Sequence, residues 1–227
     1  MAKHSSGDLI AIQRVQPREP GRLTLVSEAI GEDGRIGDAY SSYHDDLSPP
    51  LVWTGMPDAE SFALIVEDPD APMDKPVVHW VMWNIPGALE GLPSSIRPET
   101  RVEAYGGMIQ GLNTRGKPGY MGPRPPPGDG PHHYHFQLFA LDTRLDLPPN
   151  APFEALVQVL KAHTIAACDM VGLYEENPDP LTPAQSQQEP RSFLGEAGDR
   201  GGLDADDVDQ HAPHDSQGVV SSGSAGT

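Results

Sequence analysis

Apolar positions in this chain fall into short alternating or continuous runs, separated by long stretches rich in glycine and proline, and that pattern predicts strands far more often than helices. Arg22 to Ser27 alternates polar and apolar residues as a half-buried strand does, and Gly31 to Gly37 supplies turn residues after it. Ser61 to Glu67 is almost entirely apolar, which predicts a strand covered on both faces. Val77 to Ile85 is a third strand whose two faces read Val77, His79, Val81, Trp83, Ile85 and Val78, Trp80, Met82. Tyr134 to Leu141 is a fourth, and the period of two puts His132, Tyr134, Phe136 and Leu138 on one side of it. One helix stands out. Asn150 is placed to cap it, Pro152 suits its first turn, and Phe153, Leu156, Val157 and Leu160 follow helical spacing. Thr164 to Tyr174 reads equally as more helix or as a strand. The fold class expected is mainly β with few peripheral helices.

Composition divides the chain into three. Residues 1–20, with Pro17, Pro20 and scattered charges, read as a loosely ordered arm, and residues 21–176 hold the apolar and aromatic positions of one domain. Residues 177–227 contain no Trp or Tyr, carry the run from Asp204 to Asp209 and end in a Ser/Gly cluster. They read as an acidic tail that cannot bury enough apolar area to order itself. The formal charge of −18 opposes broad attraction to nucleic acid or an anionic membrane, while leaving local capture of an anion open. Cys168 is the only cysteine, so no intrachain disulfide forms. The N-terminus lacks an apolar signal core, and no run of about eighteen apolar residues is present for an integral membrane segment. A cytoplasmic location is expected.

Candidate chemistry gathers at strand ends. Asp68-Pro69-Asp70-Ala71-Pro72 closes the second strand, His79 lies in the third, and a rigid loop from Gly119 through Tyr120, Gly122, Pro123, Arg124 and Pro125-Pro126-Pro127 runs into His132 and Tyr134 of the fourth. Glycine lets a ligand approach backbone N–H groups, proline fixes the loop, and histidine supplies positive charge. A carboxylate in the first turn can orient an imidazole, and a protonated His79 or His132 would then donate to phosphate or carboxylate, with N–H groups from Gly122 onward completing a cradle. Each residue also has a plainer role: His79 as a packed core histidine, Asp68 and Asp70 as turn formers, the prolines as a stiff loop. Zinc is a rival for His132, His133, His135, Asp68 and His79. However, His133 and His135 face away from His132, and no Cys-x-x-Cys or His-Glu-x-x-His motif accompanies them, so no metal or other cofactor is called for.

These residues resemble the phosphatidylethanolamine-binding protein family, also described as Raf-kinase-inhibitor-like, in its short bacterial and archaeal branch. The resemblance rests on Asp68-Pro69-Asp70-Ala71-Pro72, on His79-Trp80, on Gly119-Tyr120-Met121-Gly122-Pro123 with Pro125-Pro126 and Gly128, and on His132-x-Tyr134-x-Phe136 followed by Ala140-Leu141-Asp142. It implies a central antiparallel sheet packed against a smaller sheet, and a small pocket for phosphate-like anions lined by Asp68, His79, Gly122, Pro123, His132 and Tyr134, with Asp70 and Tyr120 beside it. Arg124 departs from the family pattern, which has a small residue or cysteine there. The expected function is a soluble, noncatalytic protein that binds a phosphate-like or carboxylate small-molecule anion such as a phospholipid headgroup, and acts as an inhibitor or regulator. The alternative is a hydrolase of a phosphorylated or ester substrate with a histidine base oriented by Asp68. A third class, an adaptor on an unidentified protein partner, gives the acidic tail a part. Neither the partner nor the oligomeric state is specified by these residues.

Overall fold

The computed structural model describes residues 9–55 and 58–177. The acidic tail expected after residue 176 lies, from residue 178 on, outside the described residues. Among the described residues there are two α-helices and nine strands: α1 (Ala11–Arg14), β1 (Thr24–Val26), β2 (Leu51–Thr54), β3 (Ser61–Asp68), β4 (Val77–Pro86), β5 (Gly91–Leu92), β6 (Arg101–Val102), β7 (Met108–Gln110), β8 (His132–Leu141), α2 (Phe153–His163) and β9 (Thr164–Tyr174). They make a six-stranded antiparallel sheet in the order β6-β7-β4-β3-β8-β9 and a three-stranded sheet β1-β2-β5.

Both faces of the large sheet are covered, which is why β3 has no exposed position along its length. On one face Phe62, Leu64, Val66, Trp80, Met82, Tyr134, Phe136 and Leu138 pack against Leu25, Leu51, Trp53 and Leu92 of the small sheet. On the other face Ala63, Ile65, Val81, Trp83, Phe139 and Leu141 pack under Leu156, Val157 and Leu160 of α2. Fully burying a Leu- or Phe-sized side chain is worth roughly 1.5–3 kcal/mol, so these two layers dominate the stability of the domain. Among the described residues no helix is long and apolar enough to cross a membrane.

Register shifts in the β3–β4 pairing decide what reaches the site. Val66 pairs with Trp80 but Glu67 pairs with Val78, so His79 is an extra residue on β4. A second shift lies between Phe62, opposite Ile85, and Leu64, opposite Met82, where Asn84 takes a φ of 58°. Strict alternation groups His79 with Val81 and Trp83. The bulge instead turns His79 to the face that carries Trp80 and Tyr134.

Two further elements differ from the sequence reading, and the structure decides a third that it left open. The stretch expected to be a loose arm is docked from residue 10 onward: Ile10, Ala11 and Val15 are buried, and the Ala11 N–H donates to Glu67 Oε2 at 2.7 Å while the Ile12 N–H donates to Gln137 Oε1 at 2.6 Å. Asn150 does not cap α2; Pro152 holds the N-cap position with no side-chain cap bond. Thr164 to Tyr174 is strand, paired along its length with β8.

Candidate functional site

Antiparallel pairing brings the last residue of β3 beside the first residues of β4 and β8, and Asp68, His79, His132 and Tyr134 meet there. Asp68 is 3% exposed and its carboxylate is fully used. Oδ1 accepts from the main-chain N–H groups of Asp70 (2.8 Å) and Ala71 (3.2 Å), and Oδ2 accepts from His132 Nδ1 at 2.9 Å. The first pair of bonds is an Asx turn, fixed further by Pro69 and Pro72. The last bond sets the His132 tautomer: a carboxylate can only accept, so Nδ1 carries the proton. The other ring nitrogen, Nε2, lies 3.5 Å from Oδ2 of Asp129.

His79 is held differently. Its Nδ1 donates to the Met121 carbonyl at 2.6 Å, and its ring meets Tyr134 edge to face with centroids 5.1 Å apart. Burial pushes the His79 pKa below its ordinary 6.5, although the Met121 carbonyl and the Asp68 charge act the other way. The ring is therefore neutral near pH 7, with Nε2 a hydrogen-bond acceptor. Of the two roles the sequence leaves open for His79, this favours the packed, neutral histidine over the cation. Burial raises the Tyr134 phenol well above its usual range, as does the Asp68 charge, with the Arg124 main-chain amide opposing.

Asp68, His79, His132, Tyr134, Met121 and Gly122 line a cavity of about 330 Å³. Pocket volumes of this order suit small molecules. Positive charge comes from two residues on its wall, Arg115 and Arg124. The Arg124 guanidinium carbon sits 5.2 Å from the centroid of the Tyr43 ring, and the Tyr43 hydroxyl donates to Pro125 O at 2.7 Å, which ties the proline loop to the segment after Ala39. The cavity lining thus combines aspartate and histidines with two arginines and with apolar contacts from Pro72, Met73 and Val77.

Three predicted site residues, Pro123, Tyr120 and Asp70, lie outside the cavity lining, and Gly122 lines it in a different role. The Gly122 N–H is not offered to a ligand: it donates to Asp46 Oδ1 at 2.7 Å, so Gly122 contributes wall rather than cradle. Glycine is required there for close approach, since a Cβ would lie 2.5 Å from Tyr40 O and 2.7 Å from Ser42 N. Pro123 accepts from the Ser42 N–H through its carbonyl at 3.0 Å and does not line the cavity. Tyr120 stands behind the wall, its hydroxyl donating to Tyr40 O at 3.0 Å and its ring packed edge to face on Trp80. Asp70 turns away to His133, which bonds it through both its main-chain N–H (2.8 Å) and its Nδ1 (2.7 Å). His135 pairs with Asp169 at 2.7 Å. Among the described residues no group of three or more His, Cys, Asp or Glu side chains is placed to hold a metal ion.

Sequence reasoning passed over Arg115 and Asp46. Arg115 follows Asn113, whose Oδ1 accepts from the Arg115 and Lys117 N–H groups at 3.0 and 3.3 Å and so folds the turn that presents it. The Asn113-x-x-Gly116 spacing is the only local sign of that turn. Asp46, with φ at 55°, has no sequence signal tying it to Gly122, which lies 76 positions further along the chain.

The sequence profile of the phosphatidylethanolamine-binding proteins matches residues 26–175. A UPF0098 protein of Pyrococcus abyssi is 44% identical over 154 residues, which are 67% of this chain and 85% of that protein. One from Methanothermobacter thermautotrophicus is 41% identical over 153 residues, 67% of this chain and 98% of its own. Among solved structures, Escherichia coli YbcL, described as a member of the mammalian PEBP family, superposes with a TM-score of 0.63 at 31% identity, covering 68% of this chain and 98% of YbcL. The strand ends, the bulged His79 and the buried Asp68–His132 pair fall within the matched region, and the chain belongs to the phosphatidylethanolamine-binding protein family, in company with its bacterial and archaeal members.

Proposed function

We propose that the cavity at the end of β3, β4 and β8 binds a small phosphate-like or carboxylate anion, phospholipid headgroups included, and that the protein acts as a binding or regulatory module. The supporting observation is one arrangement: two buried imidazoles and Asp68 lining the same cavity as Arg115 and Arg124. The arginines supply the charge. The neutral His79 supplies an acceptor, which favours a ligand that carries a proton of its own, such as a monoprotonated phosphate or the ammonium of a headgroup. Calorimetric titration of phosphate, phosphoethanolamine and acetate tests this. Binding should be lost in a His79→Ala, His132→Ala double variant and weakened about tenfold or more by Arg124→Ala, the scale of one charge-assisted hydrogen bond. A folded wild-type protein that binds none of the three would end the proposal.

One observation favours a second reading, hydrolysis. The Asp68–His132 bond is a carboxylate-oriented imidazole of the kind that serves a general base. In that case His132 Nε2 takes a proton from water, the hydroxide adds to phosphorus or an acyl carbon, and the alcohol leaves with a proton. Turnover of 4-nitrophenyl phosphate or acetate that disappears in His132→Ala would favour it; no turnover above the rate of the His132→Ala variant would remove it.

A further inference from the structure

Glu67 is the residue before Asp68, points to the opposite face of the sheet, and takes no part in the cavity described above. It is 2% exposed, yet it lines a second cavity of about 360 Å³ at the same end of the sheet. Both of its hydrogen bonds fall on one oxygen: Oε2 accepts from the Ala11 N–H (2.7 Å) and from Gln137 Nε2 (2.8 Å), and among the described residues none donates to Oε1. Oε1 is therefore the polar atom of Glu67 that this cavity can offer to a ligand. The mouth carries a second sign of a ligand. Leu9 and Met73, both lining this cavity, are 57% and 58% exposed. Phe153, Val78 and two prolines complete an apolar wall, and Lys75 stands on it.

We propose that this cavity binds a small apolar monocarboxylate, its hydrocarbon body against Met73, Val78 and Phe153, its carboxylate drawn to Lys75 and accepting a hydrogen bond from the Glu67 carboxyl. Charge decides between this and an ammonium ligand. Arg14 and Glu154 on the wall are salt-bridged to each other, which leaves Lys75 as the cation that sets the sign of the cavity. Burial raises the Glu67 pKa above the ordinary 4.5, with the Ala11 and Gln137 bonds and the Arg14 and His135 charges opposing; this favours the protonated form, whose Oε1–H is the donor. The cavity shares only Met73 and Thr114 with the anion cavity, so the two sites are separable by mutation.

Benzoate is the probe. Titrated calorimetrically into the full chain near pH 5.5, it should bind saturably, and Lys75→Glu, a change at an exposed position, should weaken it about tenfold or more. Glu67→Gln keeps an acceptor for Ala11 and Gln137 and leaves an amide N–H in the place of Oε1–H, so its affinity should stay within about twofold of wild type. As pH rises, wild-type affinity should fall when Glu67 ionises while Glu67→Gln holds. The other groups facing Glu67 are Arg14 on α1, Lys75 on the β3–β4 turn, Glu154 on α2, and His135 on β8 with its partner Asp169 on β9; all of them are present in both proteins, so the comparison with Glu67→Gln isolates Glu67. The His79→Ala, His132→Ala double variant should bind benzoate as wild type does. Absence of saturable binding to folded wild type, indifference to Lys75→Glu, or loss in the histidine double variant would each overturn the proposal.

Discussion

Glu67 and Asp68 are neighbours in sequence, both nearly inaccessible, and they show how much the partner matters at equal burial. Asp68 meets an imidazole and two turn N–H groups, and its carboxylate is surrounded by donors. Glu67 meets one main-chain N–H and one carboxamide, both on the same oxygen. Among the described residues no cation is hydrogen-bonded to it, and burial raises its pKa against those two bonds and the more distant Arg14 and His135 charges. The period of two on a strand delivers consecutive side chains to opposite faces, so one short sequence serves two chemically different cavities.

Removing Asp68 should produce the largest effect. Asp68→Ala strands the Nδ1–H of buried His132 and the N–H groups of Asp70 and Ala71, and each buried donor left without a partner costs about 1–3 kcal/mol, less where water reaches it. A loss of about 3 kcal/mol in urea unfolding is expected, with Asp68→Asn falling between because its carboxamide oxygen still closes the turn. A loss below about 1 kcal/mol for Asp68→Ala would mean that the pair does not hold the strand ends together.

Much of the fold and of the Asp68 cavity was legible in the sequence, and nothing in it set Glu67 apart. The apolar run Ser61–Glu67, the faces of β8 and the convergence of Asp68, His79, His132 and Tyr134 at strand ends all follow from spacing and strand pairing. What spacing misreads comes from insertions in the ladder and from contacts made at long range. A bulge moves His79 to the other face, which strict alternation has no means to signal. The docking of α1 depends on Glu67 and Gln137, 56 and 125 positions from the Ala11 and Ile12 N–H groups they accept from. Four helical residues preceding two prolines carry too little local propensity to announce it. Gly122 reads as an anion cradle because glycine permits close approach; the partner that approaches is Asp46 of the same chain. Asn150 and Pro152 are both good helix-start residues, and the chain uses the later one.

A smaller effect separates the two carboxyls by pH. Because the folded pKa of Glu67 lies above its ordinary 4.5, the folded state holds a proton that the unfolded chain has released, and this contribution is complete below 4.5 and is lost as pH rises through the folded value. Glu67→Gln has no proton to lose. At pH 4 the variant and wild type should differ by less than about 1 kcal/mol, and the variant should gain on wild type steadily as pH rises toward neutrality. Urea unfolding of both proteins from pH 4 to 8 reads the difference directly. A constant difference across that range would show that Glu67 titrates alike in both states and would erase the contrast with Asp68 drawn above.

The smallest effect lies just beyond the buried pair, in His133–Asp70, one residue past His132 and two past Asp68. It repeats the His132–Asp68 chemistry in solvent: the side chains are 52% and 41% exposed, against 5% and 4% for the buried pair. His133→Ala removes the Nδ1 bond but keeps the main-chain N–H that also reaches Asp70. Burial alone would raise the Asp70 carboxyl, yet the His133 N–H and imidazole hold it below the ordinary 3.8. A depressed carboxyl contributes stability above its ordinary value and loses it as pH falls through the folded value, so any cost of His133→Ala belongs to neutral pH and disappears in acid. Exposed pairs are worth about 0–1 kcal/mol, and a loss near 0.5 kcal/mol at pH 7 is expected. In a carboxyl-resolved NMR titration the Asp70 midpoint should move upward by part of its displacement only, since one of its two His133 donors remains. A cost at pH 7 as large as that of Asp68→Ala would mean that burial is not what separates these two aspartate–histidine pairs.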